Sequence, residues 1–345
     1  MMADRRIHWP IDKANEWYSR QPRLCGCNFT PSTSANAIEM WQGETFDAET
    51  INRELGWAAE IGFNSIRVFL HFLVWQNEGN ALKRRFEEFL VVAARHGISV
   101  IPVLFDDCWS QDMRLGPQPK PVPGVHNSRW VACPGHRMVA ERNSWDALEE
   151  YAKDVVTSFA SDERIMVWDL YNEPGNGNDP LPDRHVPQLG EKSLPLVQAA
   201  FSWAREAGPI QPLTVGLWSA KPEFEKLNEF QLAASDVISF HAYLGVEKTR
   251  QWIARLQSPG RPIICTEWMA RTHESRFQTH LPLFAATNVG CYCWGLVAGK
   301  TQTYFPWRSP PGAPEPELWF HDVLRADGTP YDPAEVEAIR QHMRS

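Results

Sequence analysis

The chain has no apolar run of roughly eighteen residues or more, so nothing in it reads as a membrane-spanning helix. It has no excess of basic residues. A net charge of -8 argues against a nucleic-acid partner, which would need basic faces to neutralise phosphate. The opening stretch MMADRRIHWPIDKANEW lacks the apolar segment of a secretory signal. There is no H-E-x-x-H, no His-x-His and no calcium-type loop of oxygen ligands, so no metal or other cofactor is expected. The G-x-S-x-G elbow of serine hydrolases is missing too. So are internal repeats, coiled-coil heptads and low-complexity tracts.

Cysteines are few, seven in all. Cys25 and Cys27 lie two apart in one predicted strand, and Cys291 and Cys293 two apart in another. Each pair projects to one strand face and reads as small buried hydrophobes. A four-thiolate zinc site would want wider spacing within each pair. Reduced thiols and the missing signal lead us to expect a cytoplasmic protein.

What is present is an alternation of apolar strand and amphipathic helix along 345 residues, long enough for one α/β barrel domain spanning residues 1–345. Predicted strands are Leu24–Phe29, Ser65–Leu70, Ser99–Phe105, Ile165–Tyr171, Leu213–Leu217, Val237–Phe240, Pro262–Thr266 and Val289–Trp294. Helical patterns fall between them at Ala48–Ile61, Leu82–His96, Trp145–Ala160, Leu194–Ala207 and Lys248–Leu256. Gly62 and Gly97 stand where helices should stop. Continuous apolar strands joined by helices imply a parallel sheet, and eight such units fit a (β/α)8 TIM barrel. A doubly wound open sheet would carry a glycine-rich phosphate turn after its first strand, and Cys27-Asn-Phe-Thr-Pro is not one.

A barrel gathers its chemistry at strand C-termini. Asn28, Arg67, His71, Asp106, Asp107, Glu173, His241, Tyr243, Glu267 and Trp294 all fall at or just past predicted strand ends. Two of these ends stand out. The run WDLYNEPG delivers Glu173 between Asn172 and Pro174, where proline stops the ladder. The run RPIICTEW ends in Glu267. Paired carboxylates on two parallel strand tips suggest cleavage of a glycosidic bond. The sixteen tryptophans agree, although most should be packing residues, since aromatics dominate core burial. Two long Pro- and Gly-containing loops follow strands three and eight, at 109–143 and 295–332. They carry Trp109, Lys300 and Trp307 and are expected to wall a substrate cleft.

Asn-Glu-Pro after strand four and Thr-Glu-Trp after strand seven resemble the retaining glycoside hydrolases of the (β/α)8 clan that includes family 5, the cellulases and mannanases. The resemblance covers roughly residues 20–340 in strand and motif order. It implies Glu173 as acid/base, Glu267 as nucleophile, Asn172 on the sugar 2-hydroxyl and Arg67 holding the nucleophile ionised. It implies Tyr243 of the run SFHAYLG near the nucleophile, with His241, and Trp294 stacked on the cleaved sugar. After strand three the family often has a His pair or His-Asn; here the run is Phe105-Asp106-Asp107-Cys108-Trp109. The run WGLVAGKTQTYFPW is similar to a subgroup of small intracellular β-mannosidase-like enzymes.

Glu173 is then expected to titrate high, beside a negative Glu267, so that it can serve as the acid. Asp106 and Asp107 divide evenly between sugar binding and a structural turn. His71, Lys300 and Trp307 are equally open, and His241 and Tyr243 could be satisfied core groups. The expected partner is a small oligosaccharide or glycoconjugate, cleaved from its end as a β-mannoside or β-glucoside. An endo-acting β-glucanase or mannanase, or a non-catalytic sugar-binding barrel, are the alternatives.

Overall fold

The computed structural model describes residues 8–179, 181 and 189–344. Eight parallel strands form one sheet: β1 Cys25–Asn28, β2 Ser65–Phe69, β3 Ser99–Asp106, β4 Trp168–Asn172, β5 Leu213–Thr214, β6 Ile238–Ala242, β7 Ile263–Trp268 and β8 Gly290–Trp294. Neighbours run β5-β4-β3-β2-β1-β8-β7-β6. The gap between β5 and β6 is closed just past the end of β5, where Leu217 N–H donates to Ser239 O and His241 N–H to Leu217 O, both at 2.9 Å. The sheet is therefore a TIM barrel, with every predicted strand present. Several are shorter than expected: Ile165 makes only a bridge to Val100, and β5 keeps two residues.

Eleven α-helices are described: α1 Ile11–Ser19, α2 Ala37–Trp41, α3 Ala48–Ile61, α4 Phe72–Arg95, α5 His136–Ala140, α6 Trp145–Ser158, α7 Leu194–Ala207, α8 Glu225–Ala234, α9 Val246–Leu256, α10 Phe277–Thr287 and α11 Pro333–Arg344. Helix α3 shows why the local sequence suffices. Asp47 caps it by accepting from Thr50 N, Gly62 ends it at φ 109°, and Ile51, Leu55, Ala58 and Ile61 bury one face. The predicted Leu82–His96 is the second half of α4, which begins ten residues earlier and bends at Glu78. None of the described helices is long and apolar enough to cross a membrane.

Alternation along each strand sorts side chains into two cores. Leu24, Ile101, Met166, Val167, Val237, Ile264 and Tyr292 plug the floor of the barrel. Cys25, Cys27, Cys291 and Cys293 point the other way, into the apolar layer beneath the helices. Gly26 is required where it stands, because a Cβ would lie 1.7 Å from Ser65 O. The loop after β8 is fastened from below by the buried Arg271, which pairs with Glu335 of α11 and donates to the carbonyls of Trp319, His321 and Asp322.

Candidate active site

Arg67, wholly buried in the middle of β2, organises the mouth of the barrel. It donates to Asp169 of β4 at 2.9 Å, Asn28 of β1 at 2.8 Å, Glu267 of β7 at 3.0 Å and Asn172 of β4 at 2.7 Å. Inward-facing positions on four strands thus meet in one guanidinium. A planar group with five fixed donors suits this; an ammonium would not.

The two carboxylates converge here. His241 Nδ1 lies 2.8 Å from Glu173 Oε1 and 3.4 Å from Glu267 Oε2, and one atom of each of the three residues falls within 4.8 Å of the others. Tyr243 donates to Glu267 Oε2 at 2.8 Å. Local irregularities aim these side chains. Glu173 has φ 40°, unusual for a non-glycine residue, and the β6–β7 register slips so that His241 opposes Glu267 rather than Thr266. Without that slip, alternation would turn Glu267 away from the pocket.

Burial is the largest influence on both carboxyls. For Glu267, burial and the neighbouring Glu173 outweigh His241 and Arg67, and its affinity for a proton is raised. For Glu173, burial is overcome by His241, Cys108 and Asn176, and the group is held below its usual range. This reverses the expectation that Glu173 would titrate high. The pair acts as a unit, and His241 stands in contact with both members.

The remaining expected residues have varied surroundings. Trp294 sits half-buried at the tip of β8, edge-on to Phe69 and Trp130, and Trp307 meets Tyr243 edge-on with ring centroids 5.0 Å apart. Trp109 packs against the His126 ring. Asp106 and Asp107 have their oxygens occupied by protein: Asp106 accepts from Asn172, Trp130 and Cys108 N, Asp107 from Tyr171, Gly175 N and Ser193. His71 caps α4, accepting from Leu73 N with one nitrogen and contacting Ala132 O with the other; burial pushes its pKa down to about 4. Lys300 pairs with Glu39 at 2.5 Å on the rim.

Four contributors were given no role from the sequence, Asn28 having been named only for its strand-end position: Asn28 and Asp169, which brace Arg67, and Cys108 and Asn176, which touch Glu173. Asn28 and Cys108 were visible at strand ends. Asp169 lies inside its strand, and Asn176 is marked only by closeness to Glu173.

The site offers donor atoms that a cation could use in Glu173, His241 and Glu267. Their oxygens already accept hydrogen bonds, and the Arg67 charge lies 3.0 Å from Glu267, which opposes a cation. A second group, Cys25, Cys291 and His342, lies at the opposite end; it does not include Cys27 or Cys293. Burial holds the Cys291 thiol well above its usual range, against thiolate formation.

The two long loops meet over the β1–β2 side of the mouth. Asn127 N donates to Thr301 O at 2.7 Å, Gly312 N to Pro123 O at 2.7 Å, and Gln302 Nε2 to Val122 O at 2.8 Å, while His126 Nδ1 contacts Phe305 O at 2.8 Å. The loop after β1 joins them through Lys300 N to Ser32 O and Asn36 Nδ2 to Arg129 O, both at 2.9 Å. This is a continuous wall.

Comparison with solved structures gives the same architecture. GH5_18 from Streptomyces cattleya in complex with GlcNAc is 15% identical, with 93% of this chain and 80% of that chain covered at a TM-score of 0.60. The exo-beta-1,4-mannosidase Op5Man5 from Opitutaceae bacterium strain TAV5 is 17% identical over 100% of this chain and 63% of that chain, at 0.63. The endo-beta-1,4-mannanase from Thermotoga petrophila is 15% identical over 95% and 77%, at 0.60. No curated protein matches the sequence. The family model for cellulase, glycosyl hydrolase family 5, matches residues 26–298, taking in both glutamate-bearing strands and the arginine between them in space. On that match, the chain belongs to glycosyl hydrolase family 5.

Proposed function

We propose that the protein is a retaining, exo-acting β-glycosidase of short oligosaccharides, with β-mannosides ahead of β-glucosides. The observation that carries this reading is the proximity of Glu173 and Glu267, each with an oxygen in contact with His241. In retaining enzymes the carboxyl groups stand about 5–5.5 Å apart, too close to admit the water of an inverting reaction.

Glu267 attacks the anomeric carbon as the glycosidic C–O bond breaks, and Glu173 passes its proton to the leaving oxygen. Water, losing a proton to Glu173, then attacks the same carbon and displaces Glu267. Arg67 and Tyr243 stabilise the Glu267 carboxylate at the start and the end of this cycle. His241 Nδ1 contacts both carboxyls and holds them in one geometry.

The wall of loops supports exo action. Glu173, just past the end of β4, must face the leaving group, so the remaining sugar points towards β8, β1 and β2. That is the side where the loops after β1, β3 and β8 are tied together. Mannosides come first because the solved structures of similar architecture include an exo-beta-1,4-mannosidase and an endo-beta-1,4-mannanase.

The test is a panel of nitrophenyl β-mannoside, β-glucoside, β-galactoside and β-xyloside, with soluble mannan and cellulose derivatives. The first-formed anomer is followed by proton NMR. Release of phenol with a β-anomer formed first is expected. A first-formed α-anomer would refute retention, activity on polymers alone would refute exo action, and saturable binding without turnover would leave a sugar-binding barrel.

A further inference from the structure

Two groups outside the double-displacement scheme hold Glu173 Oε2. Cys108 Sγ lies 3.1 Å from it and Asn176 Nδ2 2.6 Å. The Asn176 amide has one reasonable orientation, because its Oδ1 accepts from Asn178 N at 2.9 Å and leaves Nδ2 turned towards Glu173. Cys108 is seated as firmly. Its N–H donates to Asp106 Oδ1 at 2.8 Å, and Asp106 is held by Trp130 and Asn172. Burial pushes the Cys108 thiol well above its ordinary range, so it remains S–H, a donor and a poor nucleophile.

We propose that Cys108 and Asn176 are positioning residues that clamp the acid/base through two uncharged donors, fixing the Glu173 carboxyl and favouring its ionised form. The proposal rests on the assignment of Glu173 as acid/base. A donor to the carboxylate helps Glu173 release its proton to the leaving group and weakens it as the base that follows. The charged and titratable groups facing the clamp are Asp106 from β3, Arg67 from β2, His241 and Tyr243 from β6 and its end, and Glu267 from β7. None is altered in the variants compared below, apart from Glu267, which is neutralised alike in all of them.

In a Glu267→Gln background the carboxyl carbon of Glu173, labelled with carbon-13 and assigned by its loss in Glu173→Gln, reports this group's titration alone. Cys108→Ala should raise its midpoint by roughly half a pH unit or more, since a hydrogen bond to a charged group is removed. Asn176→Ala should raise it further, its contact being shorter. Cys108→Ser keeps a donor and should leave the midpoint at or below that of the cysteine protein. A purely packing role for both residues predicts no movement in any of the three. Unchanged midpoints in Cys108→Ala and Asn176→Ala would overturn the clamp; if Cys108→Ala does not fold, Asn176→Ala and Cys108→Ser decide it. The titration needs no substrate. A protein that turns over nothing in the glycoside panel would therefore defeat the glycosidase reading and leave the clamp to be judged separately.

Discussion

The floor and the mouth of the barrel are built from the same eight strands by opposite means. The floor is a plug of Leu24, Ile101, Met166, Val167, Val237, Ile264 and Tyr292, in which Tyr292 satisfies its hydroxyl on Ser65 at 2.9 Å. The mouth buries Arg67 among Asp169, Asn28, Asn172 and Glu267. Apolar burial is non-directional, so the floor should lose stability in proportion to what is removed. A buried charge network depends on every partner: removing one leaves the others uncompensated. The floor secures the fold, and the mouth secures one geometry.

The largest expected effect comes from the proposed reacting pair. Glu267→Gly and Glu173→Ala should each lower kcat by several orders of magnitude, and azide added to Glu267→Gly should yield the α-glycosyl azide. Retention of substantial activity in both variants would remove the mouth from the chemistry. Arg67→Ala comes next. It strands two carboxyls and two amides, and should cost about 3–5 kcal/mol in urea unfolding together with nearly all activity. Ile264→Ala is its counterpart in the floor, with about 2–5 kcal/mol lost. Its folded fraction should keep the wild-type kcat. A large fall in that kcat would show that the two ends are not separable.

Glu54 gives a smaller, pH-dependent difference. Burial pushes its carboxyl up to about 7, against hydrogen bonds from the Ser32 hydroxyl and N–H. The folded state therefore favours the protonated acid. That contribution is complete below the ordinary value of 4.5 and is lost as pH rises through about 7. Urea midpoints at pH 5 and pH 8 should differ more for the wild type than for Glu54→Gln. Equal differences would place no titration at this support of the β1 loop. The smallest effect is expected at the rim, where Lys300→Ala removes the half-exposed partner of the buried Glu39 and should cost about 1–2 kcal/mol. A raised KM in that variant would add Lys300 to the sugar-binding surface.

Much of this was legible in the chain. Apolar runs bounded by glycine and proline marked all eight strands, because burial on both faces of a parallel strand leaves a continuous signature. Asn172, Glu173 and Glu267 were exposed by their place at strand ends. Other signals were ambiguous for physical reasons. His71 and Asp107 occupy strand-end positions that a sugar ligand could use, yet His71 caps a helix and Asp107 ties the loop after β4 to Gly175 and Ser193. The titration order of the two glutamates was misjudged because it depends first on His241 and then on Cys108 and Asn176, whose approach to Glu173 leaves no periodic trace.

By itself the sequence determined the strand–helix alternation, the barrel and the identity of the two carboxylates, since these follow from local patterning that every residue carries with it. Tertiary structure alone decided that Glu267 turns inward through a register slip, that Arg67 joins four strands, and that two loops 170 or more residues apart close one side of the mouth. Those outcomes depend on closure of the barrel. Closure fixes distances between positions far apart in the chain, and local preferences set no such distances.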